Sequence, residues 1–234
     1  MKKIIIVPTS HIAEQSIQKI KEVVEKEKPD CIAVELDAIR YKALKEEHKG
    51  YSVAAIKDMG FATYLIFFLL KYIQKKLGGM VGIIPGADML AAVDSAKENK
   101  INVAFIDLDI RVTAYKLKTE LPLREKLRMI KYVIATTFMI TAGKYIPFRK
   151  TGEGIDLTKV PEKDFIKEAM KIFREKFPQL YKILLDDRND FMAKNIISLI
   201  GKFDTLVIVI GAGHEEGIKK ILTEKINKQK DANG

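Results

Sequence analysis

Two histidines stand where apolar, strand-like runs give way to amphipathic segments. His11 follows the run IIIV through PTSH, and His214 follows LVIVI through GAGH. An imidazole in the first turn of a helix feels the positive end of the helix dipole, which disfavours its protonated form. The neutral ring can coordinate a metal or accept a proton. Carboxylates occupy matching places elsewhere: Glu35 in AVELD, and Asp107 and Asp109 in FIDLD. Two imidazoles with two or three carboxylates form a donor set suited to a borderline divalent ion such as Mn, Co or Zn. Gly211 and Gly213 permit a tight turn and offer backbone N–H groups to an oxyanion. In DDRNDFMA, Arg188 is suited to a substrate carboxylate or a developing oxyanion.

Each piece also has a plainer reading. A histidine at a helix start is commonly a cap or a solvated residue. A GAGH turn can hold phosphate or nothing. Glu35-Leu36-Asp37 can cap the next helix, and IDLDI can do the same for the segment from Arg111 onward. DDRN reads as the acidic first turn of a helix with Met192 packed inward. PGADM reads as another helix start, and His48, in EEHKG, as solvated. What favours a site is co-location, since every strand end carries an ionisable residue and no single plain reading accounts for that.

The elements that must position these residues follow from periodicity. Short, continuously apolar, β-rich runs at 3–7, 31–35, 103–106 and 205–210 read as strands covered on both faces. Between the first two, Ile17, Ile20, Val23 and Val24 recur at helical spacing over residues 13–28. Strand, helix and strand within about 30 residues make a βαβ unit, so the strands should be parallel. Residues 88–100 and 216–225 supply helices around the third and fourth strands. Residues 38–100 outside that helix, and residues 110–201, read as mostly helical insertions. The expectation is one α/β domain over residues 1–226. It has a mainly parallel sheet of at least four strands, helices on both faces, and a frayed polar tail over 227–234. Ligands of such sheets bind beyond the carboxyl ends of the strands, the edge where the ionisable residues lie.

Composition narrows the classes. In 234 residues, hydrophobic types make up 47% and charged types 31%, as in a folded globular protein. The net charge of +10 comes from lysines interleaved with glutamates along helices, so a solvated surface is expected rather than a nucleic-acid interface. The single cysteine, Cys31, lies in the apolar run CIAVEL. It excludes an internal disulfide framework and favours a reducing, cytoplasmic setting. The segment FATYLIFFLL, residues 61–70, is shorter than the roughly 20 residues a spanning helix needs. Its consecutive Phe67, Phe68, Leu69 and Leu70 exceed one face of an amphipathic helix. A homodimer interface is expected there first, and contact with a membrane or membrane partner second.

The ordered set PTSH, VELD followed by Arg40, PGADM, IDLDI, DDRNDFMA and GAGHEEGI resembles the TraB/PrgY family, over residues 4–222. That family is related to the Tiki metalloproteases and, more distantly, to ChaN-like and erythromycin-esterase-like proteins. The resemblance implies a parallel α/β core with a metal-dependent peptidase site made of paired GxxH turns and a glutamate. In this chain those are His11, Glu35 and His214, with Arg188 as the family's arginine and Ser10 beside the first histidine on the substrate side. Three departures stand out. Pro8 replaces the first turn's glycine, Asp88 in PGADM replaces glutamate, and Asp187 and Asn189 replace glutamate and aspartate. Asp88 and Asp187 are thereby assigned to support the site from behind. Many relatives continue into membrane-spanning helices, so the chain is expected to be a soluble member or the soluble part of a longer protein.

The expected function is therefore metal-dependent hydrolysis of peptides. A non-catalytic protein that binds or sequesters peptides is one alternative, and an esterase-like hydrolase with a histidine general base is the other.

Overall fold

The computed structural model describes residues 2–9, 14–45, 86–141 and 163–231. The chain runs β1 (Lys3–Thr9), α1 (Glu14–Glu27), β2 (Cys31–Val34), α2 (Ala38–Lys45), α3 (Ala87–Glu98) and β3 (Asn102–Phe105). It continues with α4 (Ile110–Thr119), α5 (Leu123–Thr141), α6 (Lys163–Lys176) and α7 (Pro178–Tyr181). A π-helical segment (Lys182–Asp186), α8 (Asp187–Ile200), β4 (Thr205–Gly211) and α9 (Glu215–Asp231) complete it. All four strands are parallel, in the order β1-β4-β2-β3. The α/β architecture expected from the sequence is the one observed.

β4 lies between β1 and β2, with Val209 in register with Val7 on one side and Val34 on the other. Its side chains alternate between two cores. Val207 and Val209 join Val7, Ile32 and Val34 against Ile20 and Val24 of α1 and Met89, Ala92, Val93 and Ala96 of α3. Leu206, Ile208 and Ile210 join Cys31 and Ala33 against Met192, Ala193 and Ile196 of α8 and Ile218 and Leu222 of α9. Each fully buried aliphatic side chain contributes about 1.5–3 kcal/mol, which is why the strands read as unbroken apolar runs. A smaller cluster of Leu117, Leu121, Leu180 and Ile183 fastens α4 to α7 and the π-helical segment.

The connections after β1 and β2 pass over the α1/α3 face, whereas α8 and α9 flank β4 on the opposite face. Direction therefore switches on both sides of β4, and the crevices beyond its carboxyl end are where ligands of such sheets sit.

Some boundaries differ from expectation. β1 continues through Pro8 to Thr9, which an edge strand tolerates because one side of its ladder needs no N–H. α9 runs to Asp231, beyond the expected start of the frayed tail, since its lysines and glutamine are good helix formers. Residues 186–189 open α8 with an acidic first turn, as read, but they do not form a free helix N-terminus. They lie within a helical run that opens at Pro178 and passes through a π-helical segment, where the Asp187 N–H bonds Lys182 O, five residues back. Gly86 precedes α3 at φ 88, a left-handed conformation that only glycine adopts without strain. Among the described residues no helix is long and apolar enough to cross a membrane. The segment 61–70, with the interface read into it, lies outside the described residues, as do His48 and the loop 147–154.

Candidate functional site

Glu35 is the first residue past β2 and stays on the ladder, its N–H donating to Val209 O at 3.0 Å. Its side chain, nearly inaccessible, turns toward the end of β4. Oε2 accepts from the Gly211 N–H at 2.6 Å. Oε1 lies 2.5 Å from Nη2 of Arg188 and 3.3 Å from Nε2 of His214. One carboxylate thus ties together β2, β4, α8 and the turn that opens α9.

Asp107, two residues past β3, is the second anchor. Its Oδ1 accepts from the Leu108 N–H at 2.7 Å and from Arg188 Nε at 3.0 Å. Its Oδ2 accepts from Arg188 Nη2 at 2.5 Å and from Arg40 Nη2. The remaining guanidinium nitrogen of Arg188, Nη1, donates to Leu184 O at 3.2 Å, inside the π-helical segment. Such segments recur at functional sites because they re-aim a helix locally.

Arg40 forms the outer layer. Asp37 caps α2 by accepting from the N–H groups of Ile39 at 2.8 Å and Arg40 at 3.0 Å, and its Oδ2 also holds Arg40 Nε at 2.6 Å. The capping role read for Asp37 is therefore met while it also orients a guanidinium toward Asp107. Arg40 is the less buried of the two arginines, its side chain 23% exposed against 15% for Arg188. Three carboxylates (Glu35, Asp37, Asp107) face two guanidiniums, so these five groups carry one excess negative charge.

Titration follows from the geometry. Burial acts to raise the Asp107 pKa, but the charge and hydrogen bonds of Arg188, with the charge of Arg40, outweigh it and hold the pKa below the ordinary 3.8. Burial likewise opposes the charge on Arg188, and the carboxylates of Glu35 and Asp107 overcome it, so its pKa lies above the ordinary arginine value.

His214 follows the turn, its N–H donating to Gly211 O at 2.9 Å and its own carbonyl accepting from the Ile218 N–H at 3.0 Å. The imidazole is buried, with Nδ1 2.7 Å from Asn189 Oδ1 on α8. Gly213 packs near Met170 of α6 and Leu185, and Lys167 of α6 pairs with Glu216 at 3.0 Å, so α6 lies over this turn.

Of the residues singled out from the sequence, Glu35, Asp107, Arg188, Gly211 and His214 come together. The N–H of Gly211 is committed to Glu35 rather than open to an oxyanion, and four of the five N–H donors of Arg188 go to Asp107, Glu35 and Leu184 O. Asp109 stands apart. It caps α4 through the Arg111 N–H at 2.8 Å and pairs with the Arg111 side chain, which lowers its pKa. Asp187 faces Lys116 at 2.7 Å and Lys182 at 3.0 Å, bracing α8 against α4. Asp88 is buried in the first turn of α3, its Oδ1 on the Met89 N–H at 2.9 Å. Ser10 and His11 lie outside the described residues, and the strand that precedes them ends at Thr9 in register with Gly211.

Sequence reasoning did not find Asn189 or Gly217 as parts of the site. Asn189 was visible only as a departure in the DDRN motif, standing where the family tends to have aspartate. Gly217 carried a usable signal, because it lies three residues after His214 and so on the same helical face.

The sequence model of the TraB/PrgY/gumN family matches residues 1–230. An uncharacterized protein of Methanocaldococcus jannaschii is 30% identical over 229 residues, covering 96% of this chain and 54% of its own length. A TraB domain-containing protein of Bos taurus is 22% identical over 254 residues, covering 97% of this chain and 64% of its own length. A protein of the same description from Mus musculus is 20% identical, with the same coverage of 97% and 64%. The chain thus spans between about half and two thirds of these relatives.

Proposed function

Since the chain belongs to the TraB/PrgY/gumN family, we propose that it is a metal-dependent hydrolase whose site is built on Glu35 and His214 and whose substrates are peptides. The observation that carries this reading is the pairing of Glu35 Oε1 with His214 Nε2 at 3.3 Å, at the carboxyl edge of the sheet. Two ligands of one tetrahedral ion, each about 2.0–2.1 Å from it, stand roughly 3.3–3.4 Å apart. The donor pair therefore fits a divalent ion, and the excess negative charge of the surrounding groups supports one. Glu35, His214 and, from the sequence, His11 would hold it.

An ion held there would supply Lewis acidity, for activating water and a carbonyl. The chain's own residues do the rest. Arg188 and the Gly211 N–H hold the Glu35 carboxylate in one place. Asp107 positions Arg188 by gripping two of its nitrogens, and Arg40 holds Asp107 from the more exposed side. In this reading Asp107 acts through Arg188 rather than on the substrate.

A second reading draws on the same imidazole. With Asn189 on Nδ1 and a carboxylate beside Nε2, His214 also has the setting of a metal-free general base. Calorimetric titration of dialysed protein with Mn, Co and Zn, and digestion of a peptide mixture followed by mass spectrometry, separate the two. The metal reading expects one bound ion, lost in His214→Ala and Glu35→Gln, and cleavage abolished by chelator. Cleavage that persists in excess chelator selects the general base. Peptides bound but uncut would leave a sequestering protein.

A further inference from the structure

We infer that Asn189 is the positioning residue for His214, and that Gly217 is the gap that admits it. Asn189 Oδ1 stands 2.7 Å from His214 Nδ1, with both residues almost wholly buried. A carboxamide oxygen can only accept, so the 2.7 Å contact requires a proton on Nδ1. The competing acceptor, Glu35 Oε1, stands farther away at 3.3 Å from Nε2, so in the neutral ring the proton goes to Nδ1 and Nε2 keeps its lone pair. Nε2 is the atom that faces Glu35. The hydrogen bond therefore fixes both the direction of the ring and which nitrogen is bare.

The room for this contact comes from the opposite helix. A Cβ at position 217 would lie 2.2 Å from Asn189 Nδ2, closer than real Cβ atoms come, and 3.0 Å from Asn189 Cγ, so the amide would have to move. The imidazole belongs to the residue just before α9 and the gap lies in that helix's first turn, three positions on, and the Asn189 amide reaches both from α8. Neither residue touches Glu35 in the described contacts, so their influence passes through the ring. Within the functional reading above, this is the outer hydrogen bond that orients a metal-ligating histidine. The tautomer itself does not rest on that reading.

Long-range proton–nitrogen spectra of the imidazole rings, recorded at about pH 8.5 where an ordinary histidine is neutral, read the tautomer directly. The chain has three histidines, so comparison with His214→Ala identifies the signals. The wild type should carry the His214 proton on Nδ1, and Asn189→Ala and Gly217→Ala should lose that preference while circular dichroism stays native. In a Zn or Mn titration, Asn189→Ala should weaken binding roughly 10–100-fold, and Asn189→Asp, which restores an acceptor, should recover it. A wild-type proton on Nε2, or an unchanged tautomer in Asn189→Ala, overturns the inference. If Asn189→Ala does not fold, the wild-type tautomer alone decides. A wild type that takes up no ion overturns the metal reading, and the tautomer still judges this one.

Discussion

Arg188 reaches Glu35 across 153 residues of sequence, its Nη2 standing 2.5 Å from Oε1. The same nitrogen lies 2.5 Å from Asp107 Oδ2, so one guanidinium joins the ends of two strands to a helix on the far face of the sheet. This cross-link is a property of the folded chain, and it sets what removal of each partner should do.

Replacing Arg188 by Met leaves two buried carboxylates without their shared cation. Breaking a buried pair in this way costs about 3–5 kcal/mol, and urea unfolding at neutral pH should show a loss of that size. Arg188→Lys should recover little, because a single ammonium cannot match the two-carboxylate fork. A loss below about 1 kcal/mol would mean that water or another cation already compensates these groups.

Stability should also fall in acid, with a predictable sign. The folded pKa of Asp107 is depressed below 3.8, so its contribution is complete above that value and disappears as pH drops through the lower, folded pKa. Urea midpoints measured from about pH 7 down to about pH 2 should decline chiefly below about pH 4. Asp107→Asn should start lower and decline less over that window. An acid limb equally steep in the variant would assign it to other carboxylates.

Cys31 should be inert while the protein is folded. Burial, with the charge of Asp30 adding to it, pushes its thiol up to about 11, so little thiolate exists at neutral pH. A disulfide reagent such as Ellman's should react only after denaturant is added. Rapid reaction in the native state would show that the strand opens.

Glu125 on α5 should matter more than its helix position suggests. Its buried carboxylate accepts from the N–H groups of Gln179 at 3.0 Å and Leu180 at 2.9 Å, capping the helical run that leads to Arg188. Glu125→Ala should cost about 1–3 kcal/mol and speed hydrogen exchange over residues 178–186. Glu125→Gln, with one acceptor left, should cost less. Unchanged exchange there would mean that α7 is held by Leu180 and Ile183 alone.

The sequence by itself determined the strands, their parallel sense and the edge at which Glu35, Asp107 and His214 would be found. Those features are local: unbroken apolar runs mark strands buried on two faces, and a βαβ spacing admits only a parallel return. The order β1-β4-β2-β3 was not legible, because it depends on which face each helix covers, and α1 and α8 each carry an apolar stripe. Only the tertiary structure could place Arg188 between Glu35 and Asp107, and set Asn189 against His214. Each of these depends on a side chain meeting a partner from a distant element. The clearest case is Gly217, an unremarked residue in sequence, whose missing Cβ is the space that the Asn189 amide occupies once α8 and α9 lie together. Pattern and propensity act within a segment, whereas such contacts are decided by packing between segments.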